Sequence, residues 1–362
     1  MAARGLNECP HRGTARLAAV APGLCTVRAH GALCHSPRLS VVVPTYRRLP
    51  LLQRCLRALL AQSVGHAAFE VLVVDDGHCE RTREWVEAEA RRHAAGFLRY
   101  LRPDAGRGPA VARNHGWRHA RAQLIAFTDD DTVPDPHWLR EGERAMASGD
   151  WAAVAGRVVV PRPEDAGPRP TDHERMTRGL EAAEFVTANA FVCKWALCVV
   201  QGFDERFRRA WREDSDLQFR LEELAGPIGR APDAVVEHPV RPERWGVSLR
   251  QQKNVFYDAL LYAKHPQRYR GELRRRPPFD YYAIVALALA ALGFAWHGLL
   301  ALAVASALGM LGLQIGLAVR RLRGGSRAPG HVAEMFATSA LIPFLSVFWR
   351  LRGARHFRVW FW

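Results

Sequence analysis

Three carboxylates in a row, Asp129, Asp130 and Asp131, follow directly on the apolar run Leu124-Ile125-Ala126-Phe127. Adjacent like charges repel, and a fold gains nothing from crowding them. A divalent cation relieves that repulsion, and hard cations such as Mg2+ take carboxylate oxygens together with substrate phosphates. Asp also suits acidic turns and helix N-caps, so the triplet alone leaves both readings open. Two more acidic groups stand elsewhere. Asp75 and Asp76 close a second apolar run before Gly77, and Glu213, Asp214 and Asp216 follow Trp211-Arg212. One set can hold a metal and another can accept a proton. Together they point to transfer of a group from a phosphate-activated donor to a hydroxyl.

These acids must be carried by elements that bring them to one place. Short apolar runs bounded by turn residues predict buried strands at 39–44, 69–77, 97–102, 124–128, 151–160 and 228–237. Between them, apolar residues at helical spacing predict helices at 51–61, 80–94, 109–122, 194–200, 213–224 and 248–264. Pro109 suits the first turn of its helix. Alternation at this spacing implies an α/β fold with a mostly parallel sheet and helices on both faces. In such sheets ligands bind beyond the carboxyl ends of the strands, which is where Asp76 and the Asp129–Asp131 triplet fall. Residues 161–173 form a Pro-rich loop expected to lie over the site. Residues 1–37 are expected to be a flexible leader.

Composition narrows the function classes. Of the net charge of +15, the stretch from Arg268 onward carries +10, with 13 Arg against Glu272, Asp280 and Glu334. That stretch is also apolar, so a membrane surface is expected as partner and nucleic acid is not. Residues 281–319 contain no Asp, Glu, Lys or Arg. A single span needs about 20 residues, so a transmembrane hairpin is expected there, with an interfacial or re-entrant segment at 332–349. Both flanks of the hairpin are basic, which places them on the cytoplasmic side of the cell membrane. Seven scattered cysteines without a CxxC pair argue against a disulfide scaffold. Cys9, Cys25 and Cys34 lie among His11, His30 and His35, but their spacing fits no zinc pattern.

Six motifs in order, VVVPTYRR, VVDDG, GPAVARNHG, FTDDDTVPDPHWL, GFDERF and RED, resemble the inverting family-2 glycosyltransferases of GT-A fold. The resemblance covers about residues 40–265. It implies a GT-A domain at 38–267 and a membrane-associated tail at 268–362. It also implies a UDP- or GDP-sugar donor, a divalent cofactor (Mg2+ or Mn2+) and hexosyl transfer in cell-envelope glycan synthesis. By that resemblance Pro44, Thr45, Tyr46, Asp75, Asp76, Arg113, Asn114 and Asp130 face the nucleotide sugar. Asp129 and Asp131 bracket the metal motif, with His238 as a further ligand. Asp214, beside Glu213, is the catalytic base, and Asn189, Gly202, Phe203, Asp204 and Trp245 lie on the acceptor side. The acceptor is expected at the membrane, lipid-linked or a glycan.

Rival readings stay open on the sequence. The stretch Arg241-Pro242-Glu243-Arg244-Trp245 is similar to the QxxRW motif of processive polysaccharide synthases, with Arg in place of Gln. A non-catalytic membrane adaptor on a GT-A scaffold is another possibility, and nucleotidyl transfer a third.

Overall fold

The computed structural model describes residues 36–162 and 167–361. The expected leader therefore lies almost wholly outside the described residues, as do its Cys and His residues.

The chain runs β1 (Leu39–Thr45), α1 (Leu49–Leu60), β2 (Phe69–Asp75), α2 (Glu80–Ala90), β3 (Leu98–Leu101), α3 (Pro109–His119), β4 (Leu124–Thr128) and β5 (Val133–Pro134). It continues through α4 (Trp138–Met146), β6 (Ala153–Val159), α5 (Asp172–Arg178), β7 (Asn189–Cys193), α6 (Lys194–Val199), α7 (Glu213–Leu224) and β8 (Ile228–Glu237). Two short helices, α8 (Val247–Gln251) and α9 (Val255–Lys264), and the single turn α10 (Pro266–Arg268) lead to the tail helices α11 (Phe279–Trp296), α12 (Leu300–Leu322) and α13 (Pro329–His356).

One eight-stranded sheet has the order β3-β2-β1-β4-β7-β6-β8-β5. From β3 to β4 it is parallel, as the strand–helix alternation predicts. Beyond β4 it is mixed: β7 runs antiparallel to both β4 and β6, and β6 pairs in parallel with β8. Sequence alone did not show β7 as a strand, because its five residues pass straight into α6 with no turn between them. β1, β2, β4 and β7 are buried along their whole length, which explains their uninterrupted apolar text. The predicted helix at 248–264 is broken in two by a 3-10 turn at Gln252–Asn254.

Three helices, α11, α12 and α13, are long and apolar enough to cross a membrane. They differ in surroundings. Large apolar side chains of α11 and α12, such as Leu289, Leu292, Leu300 and Leu308, are exposed. On α13, which extends well past 332–349 and keeps Pro343 inside it, one stripe is buried: His331, Met335, Thr338, Ser339, Ile342, Ser346, Arg350 and Gly353. That stripe packs on α8 and α9 of the sheet domain. A bare apolar helix buries no polar stripe, so α13 is docked to the domain along one face.

Candidate active site

β1, β2 and β4 are adjacent and parallel, so their carboxyl ends meet at one edge. There the Thr45 hydroxyl donates to Asp130 Oδ2 at 2.7 Å. Arg48, just past β1, lies 3.3 Å from Asp130 Oδ1 and 3.6 Å from Asp131 Oδ2. Burial drives the Asp130 carboxyl up to about 7, against the pull of Arg48. Asp131 Oδ2 is also engaged by Arg241 Nε at 3.0 Å, and its Oδ1 lies 3.7 Å from His238 Nε2.

Donor atoms of Asp129, Asp131 and His238 all lie within 4.8 Å of one another. Two hard oxygens and an imidazole suit Mn2+ or Mg2+, so the residues present fit the expected divalent ion. Burial opposes ionisation of Asp129, but Arg113, His238 and Arg48 outweigh it and hold the carboxyl below its usual range.

Arg113 joins this cluster to the third acidic group. Its guanidinium, buried on α3, donates to Asp129 Oδ1 at 2.7 Å and to Glu213 Oε1 at 3.2 Å. Burial pushes Glu213 up to about 8, helped by the Asp214 charge and opposed by Arg113. Asp214 is also raised by burial, while Arg113 and Thr187 resist. Both Asp214 oxygens are held by Thr187, through its hydroxyl at 2.6 Å and its backbone N–H at 3.2 Å. Arg212, immediately before, sits in the left-handed region with φ 75°, a conformation that costs a non-glycine residue about 1 kcal/mol or more.

At β2, Asp75 accepts from the Gly77 and Cys79 backbone N–H groups and the Tyr100 hydroxyl, which close the turn. Asp76 accepts from Gly108 N–H at 2.6 Å. Gly108 has φ 115°, and a Cβ there would sit 2.9 Å from the Arg208 carbonyl oxygen. Tyr46, beside Pro44 at the end of β1, exposes its ring near the same edge, with the Arg47 guanidinium 5.6 Å from its centre.

Five sequence-derived site residues are placed differently from the rest. The Asn114 amide donates to the Phe203 carbonyl and Glu205, and accepts from Phe203 N–H and Trp117 Nε1. With its capacity filled, it clasps the turn after α6 and presents nothing to a nucleotide. Gly202, φ 69°, sits under that amide, where a Cβ would be 2.3 Å from Asn114 Oδ1. Asn189 is likewise consumed, donating to the Arg157 and Ala234 carbonyls and accepting from Trp138 Nε1; it staples β7 between its neighbours and faces no acceptor. Asp204 is bound by Arg206 and by Lys264 at 2.7 Å. Trp245 is 59% exposed. Sequence reasoning missed Arg48, Arg241 and Thr187. The two arginines follow strands in text already singled out, whereas nothing in the local text marks Thr187.

A model of glycosyl transferase family 2 matches residues 40–207, and one of glycosyl transferase family group 2 matches residues 124–351. The chain is 28% identical over 256 residues to validoxylamine A glucosyltransferase of Streptomyces hygroscopicus subsp. jinggangensis, covering 62% of this chain and 58% of that protein. It is 32% identical over 129 residues to glycosyltransferase AglE of Haloferax volcanii, covering 35% and 41%. The chain thus spans about half the length of the curated relatives it matches. Among solved structures, the mannosyltransferase PcManGT of Pyrobaculum calidifontis, in complex with GDP-Man and Mn2+, superposes with a TM-score of 0.53 at 19% identity, over 88% of this chain and 87% of that one. This likeness bears out the expected GT-A fold.

Proposed function

The chain belongs to the family-2 glycosyltransferases, and from that membership we propose that it transfers a hexosyl group from a UDP- or GDP-sugar to an acceptor at a membrane, with inversion. The observation that carries this reading is the meeting of two differently equipped acidic sets at one sheet edge. Asp129 and Asp131, with His238, form a hard-ligand cluster, and Asp214 stands apart from it as a positioned carboxylate, with Arg113 between.

In the reaction, Asp214 takes the proton from the acceptor hydroxyl as that oxygen bonds to the anomeric carbon. The bond from that carbon to the diphosphate oxygen breaks on the opposite side, and the carbon inverts. Asp129, Asp131 and His238 would hold a divalent ion, which supplies charge neutralisation for the departing diphosphate. Arg48 and Arg241 add positive charge to the same place. Asp76, with Tyr46 and the Gly108 turn, would hold the nucleoside.

Residues 38–267 serve as the catalytic domain and 268–362 as the membrane part. The exposed apolar faces of α11 and α12 enter the bilayer, and the arginines at both ends of the pair lie with the catalytic domain on the cytoplasmic face. The acceptor, a lipid-linked or glycan hydroxyl, then meets the site near the bilayer.

Release of nucleoside diphosphate tests the reading. Detergent-purified protein with Mn2+ and a panel of UDP- and GDP-sugars, with and without membrane lipid extract, is expected to release nucleotide from one donor. Release should vanish with EDTA and in Asp131→Ala. Cellular activity untouched by Asp214→Asn would overturn the assignment in favour of an adaptor, and release of pyrophosphate would favour nucleotidyl transfer.

A further inference from the structure

Arg212 takes a left-handed backbone, φ 75° and ψ −9°, directly before Glu213 and Asp214. It is the N-cap of α7, so its two torsions set the direction in which the helix leaves and, with it, the aim of the acid pair. A left-handed conformation is unfavourable for any residue but glycine. An arginine side chain also carries no acceptor for the first helical N–H groups. The start of this helix is therefore fixed from elsewhere, by a residue 46 positions further on.

That residue is Asp258 of α9, 6% exposed. Its Oδ1 accepts from Arg212 Nε at 2.7 Å and from Trp211 Nε1 at 3.0 Å. The Arg212 guanidinium in turn lies over the Trp211 ring, 4.8 Å from its centre. One carboxylate oxygen thus clamps both residues that lead into the acid pair. The bond from Arg212 is charge-assisted and shielded from water, where such bonds are strong.

α9 is engaged on two sides. Along one face it meets the segment that carries the acids. Asn254 Oδ1 accepts from Arg209 Nε at 2.8 Å, Asp258 holds Trp211 and Arg212, and His265 Nε2 lies 3.0 Å from Asp216 Oδ1. Residues 254, 258 and 265 recur at the spacing of one helical face. Phe256 and Ala259 lie on another. There Gly353 of α13 comes so close that a Cβ would sit 2.6 Å from the Phe256 carbonyl oxygen and 3.1 Å from Ala259 Cβ. The tail helix thus backs the helix that clamps the base segment.

We propose that Asp258 is the positioning residue of the catalytic base, acting through Arg212 and Trp211 to keep Asp214 in the grip of Thr187 and aimed at the acceptor hydroxyl. The inference rests on Asp214 being the base, as proposed above. It accounts for the backbone of Arg212, since the clamp selects a conformation that the residue itself disfavours. The clamp touches neither the metal cluster nor the residues placed around the nucleoside. Loosening it should therefore slow the reaction without weakening donor or metal binding, and a misplacement of about 1 Å is enough to cost up to about a hundredfold.

Steady-state release of nucleoside diphosphate tests it, measured on the full chain in detergent with Mn2+, membrane lipid extract and the UDP- or GDP-sugar that the panel identifies. Asp258→Asn keeps the shape of the side chain and removes its charge. The Arg212 side chain is 22% exposed, so water can solvate its charge in the variant. The expected result is a kcat lower by about tenfold or more, with donor KM and Mn2+ affinity as in wild type. Arg212→Gly opens the clamp from its other side while glycine takes φ 75° freely. It should give the same fall in kcat, and it serves if Asp258→Asn fails to fold. Because Asp258 acts through Arg212, adding Asp258→Asn to Arg212→Gly should lower kcat by less than about threefold more. Wild-type kcat in both single variants, with Asp214→Asn inactive, overturns the positioning role. So does a double variant in which the two losses multiply. A fall in kcat matched by a higher donor KM, weaker Mn2+ binding and a lower melting temperature also overturns it, since that is a general loosening of the fold. Asp214→Asn as active as wild type would instead overturn the base assignment itself, and the inference with it.

Discussion

Thr187 grips both oxygens of Asp214, its hydroxyl at Oδ1 and its backbone N–H at Oδ2. Bonds donated to a carboxylate favour its charged form, so Thr187 counteracts the burial that raises the Asp214 pKa. A general base works deprotonated. Activity should therefore fall as pH drops through the raised pKa of Asp214. Thr187→Val removes the hydroxyl, raises that pKa further and moves the acid limb of kcat/KM to higher pH, with kcat lowered about tenfold near neutral pH. Thr187→Ser should restore the profile. An unmoved acid limb in Thr187→Val, with Asp214→Asn inactive, would leave Asp214 as base and remove Thr187 from its control.

Arg241 sits on the carboxylate that the proposed divalent ion would use. With its Nε 3.0 Å from Asp131 Oδ2, Arg241 partly neutralises the residue that a cation would use. Removing that charge should strengthen cation binding, so Arg241→Met is expected to bind Mn2+ several-fold more tightly in an electron paramagnetic resonance titration. His238→Ala and Asp131→Ala should each weaken it tenfold or more. Unchanged Mn2+ affinity in all three would place the ion elsewhere.

How much of this was legible beforehand follows from what each residue answers to. Asp129 to Asp131 stood out because a buried strand ends on them, and α7 was read with its true ends because Glu213 opens it and its apolar positions recur at helical spacing. Asn114 and Asn189 were misplaced for a physical reason. An amide can hold a substrate or satisfy buried backbone groups, and local text does not distinguish the two. The choice is made by partners far along the chain, Phe203 for Asn114 and Arg157 and Ala234 for Asn189. The β4–β7 pairing was hidden similarly, since an antiparallel partner 61 to 69 residues away leaves no periodic mark.

The Asn114 clasp makes a stability prediction. Asn114→Ala strands the buried Phe203 N–H and carbonyl, and each unsatisfied group costs about 1–3 kcal/mol. A lower melting temperature is expected in calorimetry. Gly202→Ala should destabilise comparably, since it forces a Cβ to 2.3 Å from the same amide at a left-handed φ. A wild-type melting temperature in both would mean that the turn is not held there.

Acid should loosen the junction between α7 and α9. Burial opposes ionisation of Asp204, but bonds from Arg206 and Lys264 outweigh it; for Asp216, His265, Arg220 and Lys264 do the same. Both carboxyls titrate below their unfolded value of about 3.9. Their stabilisation is fully present above that value and lost as pH falls below it. Lys264→Met should flatten the acid limb of stability against pH, read from denaturant midpoints between pH 5 and 3. An unchanged limb would assign acid lability to other carboxylates.

Arg321 is expected to latch the tail to the catalytic domain. From the end of α12 it donates to Thr338 and Ser339 on α13, to Asp172 on α5 and to Ser248 on α8. Arg175 of α5 reaches back to the Arg323 carbonyl, and Glu334 of α13 accepts from Gly246 N–H. Through His173, α5 also bonds the carbonyl of Arg241, whose side chain is on Asp131. Arg321→Met therefore leaves the half-buried Asp172 carboxylate with Arg175 alone, and three hydroxyls with one donor fewer, where α5, α8, α12 and α13 come together. Trypsin cleavage at Arg323 and Arg327, in the turn between α12 and α13, should quicken several-fold. Membrane flotation should stay as in wild type, because the apolar faces of α11 and α12 are untouched. If cleavage were unchanged, the docking of α13 would rest on its apolar contacts with α9 and not on Arg321.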